Sequence, residues 1–303
     1  MTLVQKEGQD IMLRPNTLNK RNKLLLTALC SGLIATAFGT TLEAQAKKSK
    51  KSDKAAATKT DDKAAAKERL AEGVKLLMFK NSRAALAKFN EALRLDPGYA
   101  LAYANRANVE MLMDNPKEAI ADATKAIDLD PNLAAAYVNR SWAYNKTRQY
   151  EKAIADCDKA IALKSDLVMA YTNRSHAYNQ LEKHDLALKD CNKIISLNPN
   201  FAMAYLNRAH TNIGLANFKD AVTDCNKVIE LNPHLSRAYL NRGHARRELG
   251  EFDQALADID KAISMNGKLA SAYYNRSRIY EAKADQDLEK ARKLGFVHQV
   301  DDD

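Results

Sequence analysis

A sequence repeat with a period of 34 constrains the fold of this chain more than any other feature. An Asn-Arg pair stands in the stretch YTNRSHAY, residues 171–178, and the same pair recurs at this interval on both sides. Rows of this length give six full units and a shortened seventh that begins at Ala270. Repeats of this size are typical of solenoids, in which each unit packs on its neighbours. The full units are 66–99, 100–133, 134–167, 168–201, 202–235 and 236–269.

Within each row, apolar residues have the spacing of two helices joined by a turn. The first stretch is followed by a polar or glycine-containing link such as MDNPK or LGEFD, and helical spacing then resumes. The second stretch ends at LDP, LNP or an equivalent. Proline there ends a helix, because it lacks a backbone N–H and disfavours helical geometry in the residue before it. Each row is therefore expected to form a helix-turn-helix in an all-α protein.

These rows resemble the tetratricopeptide repeat. In the fourth row the residues that carry the resemblance are two aromatic residues, two small residues at helix contacts and a terminating proline: Tyr171, Tyr178, Ser175, Ala187 and Pro199. The resemblance covers residues 66–295 and implies a right-handed α-solenoid whose concave groove, lined by the first helices, binds peptides or proteins. The family is rarely enzymatic. The seventh row, 270–295, loses residues around its turn, resumes at QDLEKARKLG, and is expected to be a polar cap.

Two residues of the fourth row depart from the family pattern, Arg174 where Leu is usual and Cys191 where a large aromatic is usual. The arginine belongs to a column in which an Asp lies 16 positions further on, and the first row reverses both charges. A paired reversal indicates contact, and arginine can bind a carboxylate with two hydrogen bonds. We predict ion pairs between the two helices of each unit; the alternative is an arginine column that binds an acidic ligand. The pairs are Arg106 with Asp122, Arg140 with Asp156, Arg174 with Asp190, Arg208 with Asp224, Arg242 with Asp258, and Glu72 with Lys88; the shortened row keeps Asp287.

The asparagines form a second column, about 100° away from the arginines around the helix. They share their face with mostly polar residues. The resemblance places this face in the groove, where stacked Asn amides resemble the asparagine ladder by which some tetratricopeptide superhelices bind the backbone of an extended peptide. An amide both donates and accepts hydrogen bonds. The alternative is that Asn bonds a neighbouring helix and fixes repeat stacking. The column is Asn105, Asn139, Asn173, Asn207, Asn241 and Asn275.

Other places on the expected groove face change from apolar to basic along the chain. Trp142 is the best single anchor for a ligand, although a tryptophan packed into the array is the alternative. The three histidines stand one per repeat, about 8–10 Å apart, which is too far for a shared metal ion; a pH-sensitive groove is an alternative. The histidines are His176, His210 and His244, and the basic end is Arg237, Arg247 and Arg278. No metal or other cofactor is expected.

Neither the cysteines nor any motif predicts catalysis. Cys157, Cys191 and Cys225 recur at one packed place of the second helix and are expected to be small core residues without disulfides. No nucleophile elbow, phosphate-binding loop, metalloprotease motif or dinucleotide turn occurs, and the repeats leave no room for a catalytic domain. We therefore do not expect an enzyme.

The N-terminal part has the pattern of an export signal. Three basic residues precede the apolar run 24–38, and Ala44 and Ala46 form a small-residue cleavage site. Residues 1–46 are thus predicted to be a signal peptide, with Met12 as an alternative start and an uncleaved membrane anchor as the alternative outcome. A Lys/Ala-rich flexible linker, 47–65, follows, and 296–303 form an acidic tail.

The net charge of +9 does not indicate nucleic-acid binding, because residues 1–67 hold 13 Lys or Arg against 6 Asp or Glu, and the rest holds 34 against 32. Sequons at Asn139, Asn173 and Asn275 would place glycans in the groove of a eukaryotic secreted protein, which favours a bacterial periplasm or cell envelope. The sequence predicts an exported scaffold that binds an extended peptide or a partner protein. The alternative is an architectural envelope protein that self-associates or spaces surfaces, with its basic tail on anionic polymer or lipid.

Overall fold

The computed structural model describes residues 53–294, with side chains from residue 61. The predicted signal peptide, the first part of the predicted linker and the acidic tail lie outside the described residues. Within 53–294 the chain is helical and contains no strand. The described residues divide into two compact units, 53–198 and 199–294.

The first unit contains eight helices, which form four consecutive pairs. Each first helix packs against the second helix of its own repeat, and a second helix packs against the first helix of the next repeat within the unit. The pairs are α1 (Asp53–Met78) with α2 (Ser82–Leu95), α3 (Ala100–Leu112) with α4 (Pro116–Leu129), α5 (Ala134–Lys146) with α6 (Tyr150–Leu163), and α7 (Val168–Gln180) with α8 (His184–Leu197).

The second unit contains five helices, two pairs and a final single helix. They are α9 (Ala202–Gly214) with α10 (Phe218–Leu231), α11 (Ser236–Glu248) with α12 (Phe252–Met265), and α13 (Ala270–Lys293). Helix α13 packs mainly on α12. Both units are built from consecutive helix-turn-helix pairs, so the predicted all-α architecture is confirmed.

The turn inside each full repeat depends on one residue with left-handed backbone geometry. These residues have φ between 58° and 77° and recur once per repeat: Lys80, Asp114, Arg148, Glu182, Ala216 and Gly250. Only the last is glycine, the residue that adopts this geometry without strain. The left-handed residue ends the first helix and redirects the chain into the second.

The two helices of a repeat cross where a small residue faces a second-helix core residue. A Cβ added to Gly73 would lie 2.4 Å from the Phe89 ring, and one added to Gly243 would lie 2.8 Å from the Ile259 side chain. Rows with Cys at the second place have Ser or Ala at the first. A larger residue on one helix is therefore matched by a smaller one on the other.

Two boundary predictions differ from the structure. Helix α1 begins at Asp53, so residues 53–65 of the predicted linker are helical. The turn expected in the seventh row is wrong, because α13 runs without interruption for 24 residues. That row lacks the left-handed residue that the other rows place at the turn. Its surface also differs from the expected polar cap, since Tyr273, Tyr274 and Tyr280 are exposed.

None of the helices in 53–294 is both long and apolar enough to span a lipid bilayer.

Candidate functional site

The structure brings each predicted arginine to its Asp on the second helix of the same repeat. In the five pairs from Arg106 to Arg242, Nε donates to one carboxylate oxygen at 2.6–2.9 Å, and Nη2 donates to the other at 2.5–2.8 Å. The Asp side chains are buried and the guanidinium groups are half-buried. Two parallel bonds hold the first helix of each repeat to the second. These contacts match the structural interpretation of the column rather than the ligand-binding alternative.

The arginine column makes a further contact that the sequence did not predict. The Nη1 group donates to a polar residue on the second helix of the preceding repeat. For Arg174 this acceptor is Asp158, at 2.5 Å. These acceptors lie at the 34-residue interval, so the repeat could have indicated their positions, although the residue types differ. Its described contacts are Arg106 with Asn90, Arg140 with Thr124, Arg174 with Asp158, Arg242 with Asn226, and Arg276 with Asp260.

The electrostatics of the column agree with its geometry. The hydrogen bond to Asp122 raises the pKa of Arg106, and that to Asp156 raises the pKa of Arg140. Burial raises the pKa of Asp190, although the Arg174 guanidinium opposes this shift. A tyrosine three residues before each arginine places its ring 5.3–5.8 Å from the guanidinium carbon, as Tyr171 does for Arg174. Arginine is thus held by charge and by an aromatic face.

The first repeat uses the reversed charges in a wider network. Lys88 Nζ lies 3.0 Å from Glu72 Oε2 and 3.1 Å from Glu91. Arg69 also pairs with Glu72, at 2.8 Å. The reversed pair is therefore present, with two additional charges around it.

Two asparagines of the column in the first unit hydrogen-bond to the preceding first helix, as the stacking alternative expects. Asn139 Nδ2 donates to the Ala104 carbonyl at 2.8 Å, and Asn173 Nδ2 donates to Ser141 Oγ at 2.9 Å and to the Val138 carbonyl at 3.2 Å. Only 1% of Asn173 is exposed. The amide nitrogens thus serve repeat stacking. Asn105 Nδ2 instead donates to Leu101 of its own helix.

In the second unit the asparagines are also buried or half-buried. Asn207 is buried on α9 and Asn241 is half-buried on α11. Asn275 on α13 donates to the Ser271 carbonyl at 2.8 Å and accepts a hydrogen bond from Arg247 Nη1 at 2.9 Å. Asn275 therefore links α11 to α13.

Trp142 packs into the array, and its indole nitrogen is one of three buried polar atoms on α5 and α7 that have no hydrogen-bond partner. Its side chain is 9% exposed, and its Nε1 donor is buried without a hydrogen bond. The Asn145 and Asn173 Oδ1 acceptors are likewise buried and unbonded, while Asn145 Nδ2 donates to the Asn173 carbonyl at 2.8 Å. We call these three residues of α5 and α7 the Trp142 cluster. One donor and two acceptors on these neighbouring helices are therefore buried without partners.

The predicted basic end of the groove is largely paired with acidic residues. Arg247 contacts Glu248, and Arg278 contacts Glu281. His244 lies 3.6 Å from Glu248, and burial followed by the Arg247 charge lowers its pKa. Arg237 is half-buried on α11. Arg247 and Arg278 are therefore each paired with a glutamate and do not form a free cationic patch.

The remaining predicted residues are placed separately. The His176 ring packs edge-on to Tyr150 with ring centroids 6.4 Å apart, and His210 is half-buried on α9. Cys157, Cys191 and Cys225 are buried free thiols, and burial raises the pKa of Cys157 to about 12. Among residues 61–294, no three His, Cys, Asp or Glu side chains are grouped so that they could hold a metal ion.

Comparison with known proteins gives one consistent family. Sequence profiles of the tetratricopeptide repeat match residues 123–155 and, separately, 100–133, 170–201, 202–235 and 236–269, which together exceed half of the 303-residue chain. No curated protein sequence matches the chain.

Solved structures with this fold are similar to the chain at low sequence identity. PilW, described as a widely conserved type IV pilus biogenesis factor, is 18% identical, with 69% of this chain and 97% of that one covered and a TM-score of 0.62. PilF of Pseudomonas aeruginosa is 19% identical, with 74% and 99% covered and a TM-score of 0.61. YrrB, described as a TPR protein with an unusual peptide-binding site, is 23% identical, with 62% and 97% covered and a TM-score of 0.51. At these identities the similarity concerns the fold.

Proposed function

Because the chain belongs to the tetratricopeptide repeat family, we propose that it is a non-enzymatic scaffold that binds an extended peptide segment of a partner protein. We place the binding surface in the first unit, on α5 and α7 around the Trp142 cluster. The partner's segment would lie across these two first helices. This surface replaces the open asparagine ladder, since Asn139 and Asn173 use their amide nitrogens for stacking.

The observation that carries the proposal is the set of unbonded polar atoms in the Trp142 cluster. An unsatisfied buried donor or acceptor costs about 1–3 kcal/mol. A peptide unit supplies both missing groups, because its N–H can donate to the Asn145 or Asn173 oxygen and its C=O can accept from Trp142 Nε1. Ligand binding would therefore relieve a cost that the free protein carries.

Access to the cluster requires a side chain to move, because Trp142 is only 9% exposed and Asn145 and Asn173 are buried. We propose that a ligand displaces the ring edge and then packs against its face. Tryptophan is common at the centre of protein interfaces, where a large apolar surface and one N–H act together.

One structural relative supports this class of ligand. YrrB is described as having an unusual peptide-binding site, and we propose peptide binding here as well. We also propose that the protein is exported to a bacterial envelope, on the basis of the N-terminal pattern of basic residues, an apolar run and a small-residue cleavage site.

Site-specific crosslinking tests the surface. A photoreactive amino acid at His176, which is half-buried on α7, should capture one or a few discrete partners in cells. The matched control places the same group at Lys159, which is exposed on the second helix α6. Capture at 159 but not at 176 contradicts the proposal, as does equal capture at both.

Trp142 supplies a second test, because it is the only tryptophan in the chain. A peptide from a captured partner should change the intensity and wavelength of its fluorescence. The variant Trp142→Phe keeps an aromatic ring but lacks the N–H, and we expect it to bind the peptide about tenfold more weakly, the value of one hydrogen bond. Unchanged affinity would show that the N–H takes no part.

A further inference from the structure

The last arginine of the column lacks the bidentate partner that the arginines before it have. Arg276 donates Nη1 to Asp260 on α12 at 3.0 Å, as its counterparts do to the preceding repeat. From Arg106 to Arg242, Nε and Nη2 bind an Asp on a second helix, but the described part of the seventh repeat has no second helix to supply one. The adjacent Tyr273 and Tyr280 are 42% and 55% exposed. Helix α13 therefore presents a surface on which a second helix is missing.

The C-terminal half of α13 carries the pattern of that missing helix. Residues 284–291 read ADQDLEKA, whereas 255–262 of α12 read ALADIDKA. In α12 the Ala, Asp, Ile and Ala of this pattern are buried against α11. In α13 the corresponding Ala284, Asp287 and Leu288 are exposed. The second-helix pattern is present, but it faces solvent.

Asp287 cannot be the bidentate partner of Arg276 within the same continuous helix. Eleven residues separate the two, which corresponds to about 16 Å along a helix axis. Eleven residues are also close to three whole turns, so both side chains lie on the same face of α13. One helix thus offers an arginine and an aspartate along one face, each without a bidentate partner in the described residues.

We infer that α13 is the interface of a homodimer in which two copies pair antiparallel. Asp287 of each copy binds Arg276 of the other, and the 284–291 half of each helix occupies the place of the missing second helix. The two contacts are equivalent by a two-fold axis, as in an isologous interface. Loss of the turn makes the exchange necessary, because the two halves cannot fold back on one another in one chain. This interface does not depend on the proposed peptide surface.

The partner copy's residues 284–288 also have the residue pattern of a second helix. Each full repeat from the second to the sixth shows which helix fits a first helix of this kind, namely one with Ala three residues before the Asp. Residues 284–288 have that arrangement, with an apolar residue directly after the Asp as in α12. The exposed Tyr273, Tyr280 and Leu288 would be covered by the partner copy.

Sedimentation analysis of the full chain tests the inference through charge reversal. We expect the parent chain to have the mass of a dimer. Arg276→Asp or Asp287→Arg alone should weaken the dimer by about 100-fold, because each replaces both symmetry-related ion pairs by pairs of like charges. Mixing the two variants should restore the dimer, because one native and one reversed pair then form. Arg278→Asp is the control, since residue 278 is exposed and lies on another face of α13.

Each outcome decides the matter. A monomeric parent chain overturns the inference, and so does a mixture that stays monomeric while circular dichroism shows both variants to be folded. A dimer that resists Asp287→Arg also overturns it, because the interface then lies elsewhere. Crosslinking from residue 176 should be unaffected by Asp287→Arg, so failure here and failure of the peptide surface are distinguishable.

Discussion

Arg174 lies between two carboxylates, one on the second helix of its own repeat and one on the second helix of the repeat before. Asp190 accepts two hydrogen bonds and Asp158 accepts one. The Tyr171 ring lies 5.4 Å from the guanidinium carbon, and the Tyr178 ring lies 5.9 Å from it. A single side chain therefore joins three helices, and its loss leaves the buried Asp190 carboxylate without its counter-ion.

We expect Arg174→Ala to lower the free energy of unfolding by about 3 kcal/mol, because removing one partner of a buried ion pair leaves an uncompensated charge. Chemical denaturation would measure the change. Arg83→Ala, an exposed change on α2, should cost less than about 0.5 kcal/mol. Compared with Arg174→Glu alone, the double reversal Arg174→Glu/Asp190→Lys should recover only part of the lost stability. The carboxylate introduced at position 174 would still face Asp158. Adding Asp158→Lys should recover more; no recovery in either combination would contradict the three-helix contact.

His244 predicts how stability depends on pH in the second unit. Burial and the Arg247 charge lower its pKa below the ordinary value of 6.5. The unfolded chain therefore takes up a proton before the folded protein does, and stability should fall as the pH drops through 6.5 toward the folded-state value. His244→Gln should remove this part of the decrease in melting temperature between pH 7 and pH 5. An identical pH profile in the variant would show that His244 does not contribute.

At the scale of helices, the volumes at each crossing are matched in pairs. Gly73 faces Phe89 and Gly243 faces Ile259, whereas Ser175 belongs to a row with Cys191. This pairing explains why Cys can stand where the family usually has a large aromatic. In the fourth repeat the crossing point is filled by two medium-sized residues, Ser175 and Cys191. In the first repeat it is filled by a small residue and a large one, Gly73 and Phe89.

This matching makes the fourth repeat a test of paired substitution. We expect Cys191→Phe to destabilise the protein by about 1–3 kcal/mol through overpacking. The double variant Ser175→Gly/Cys191→Phe, which copies the first repeat, should recover at least half of that loss. Thermal unfolding measures both, and a double variant no more stable than Cys191→Phe would show that the two places are not in contact.

The left-handed turn residues allow a stabilising change. Ala216 has φ of 58°, and the equivalent residue of the next repeat is Gly250. Ala216→Gly should raise stability by about 0.5–1 kcal/mol, because glycine removes the backbone strain at positive φ. Ala155→Gly, an exposed change inside α6, should instead lower it by about 0.5–1 kcal/mol. Melting curves of the two variants should shift in opposite directions.

At the scale of the whole molecule, the sequence period was sufficient to predict the helix pairs and the Arg–Asp contacts, because both recur with the same residue types. The column of acceptors that begins at Asn90 was not predicted, because its members differ in chemistry. From the period, Asn173 could be assigned to a face of α7, but the period does not show that α5 covers this face. The uninterrupted α13 was missed because a deletion in the row could have shortened the turn or removed it.

Charge is unevenly distributed over the molecule, which predicts where an anionic polymer would bind. Residues 1–67 hold a surplus of basic residues, whereas the remainder is nearly balanced. Replacing Lys47, Lys48, Lys50 and Lys51 by Glu should weaken heparin binding about tenfold or more at low salt. The same change at four exposed lysines of the repeats, Lys117, Lys125, Lys159 and Lys193, should have a smaller effect. Equal effects would contradict the assignment.

The three-helix contact of each arginine also bears on how such an array can grow. An inserted copy of residues 134–167 would bring its own Arg140 and Asp156, and would find Asp158 of the original copy at the required place before it. The next arginine would meet the duplicated Asp158 in the same way. Duplication of this unit therefore leaves no arginine without an acceptor, and the array can lengthen by recombination in a step of one whole repeat.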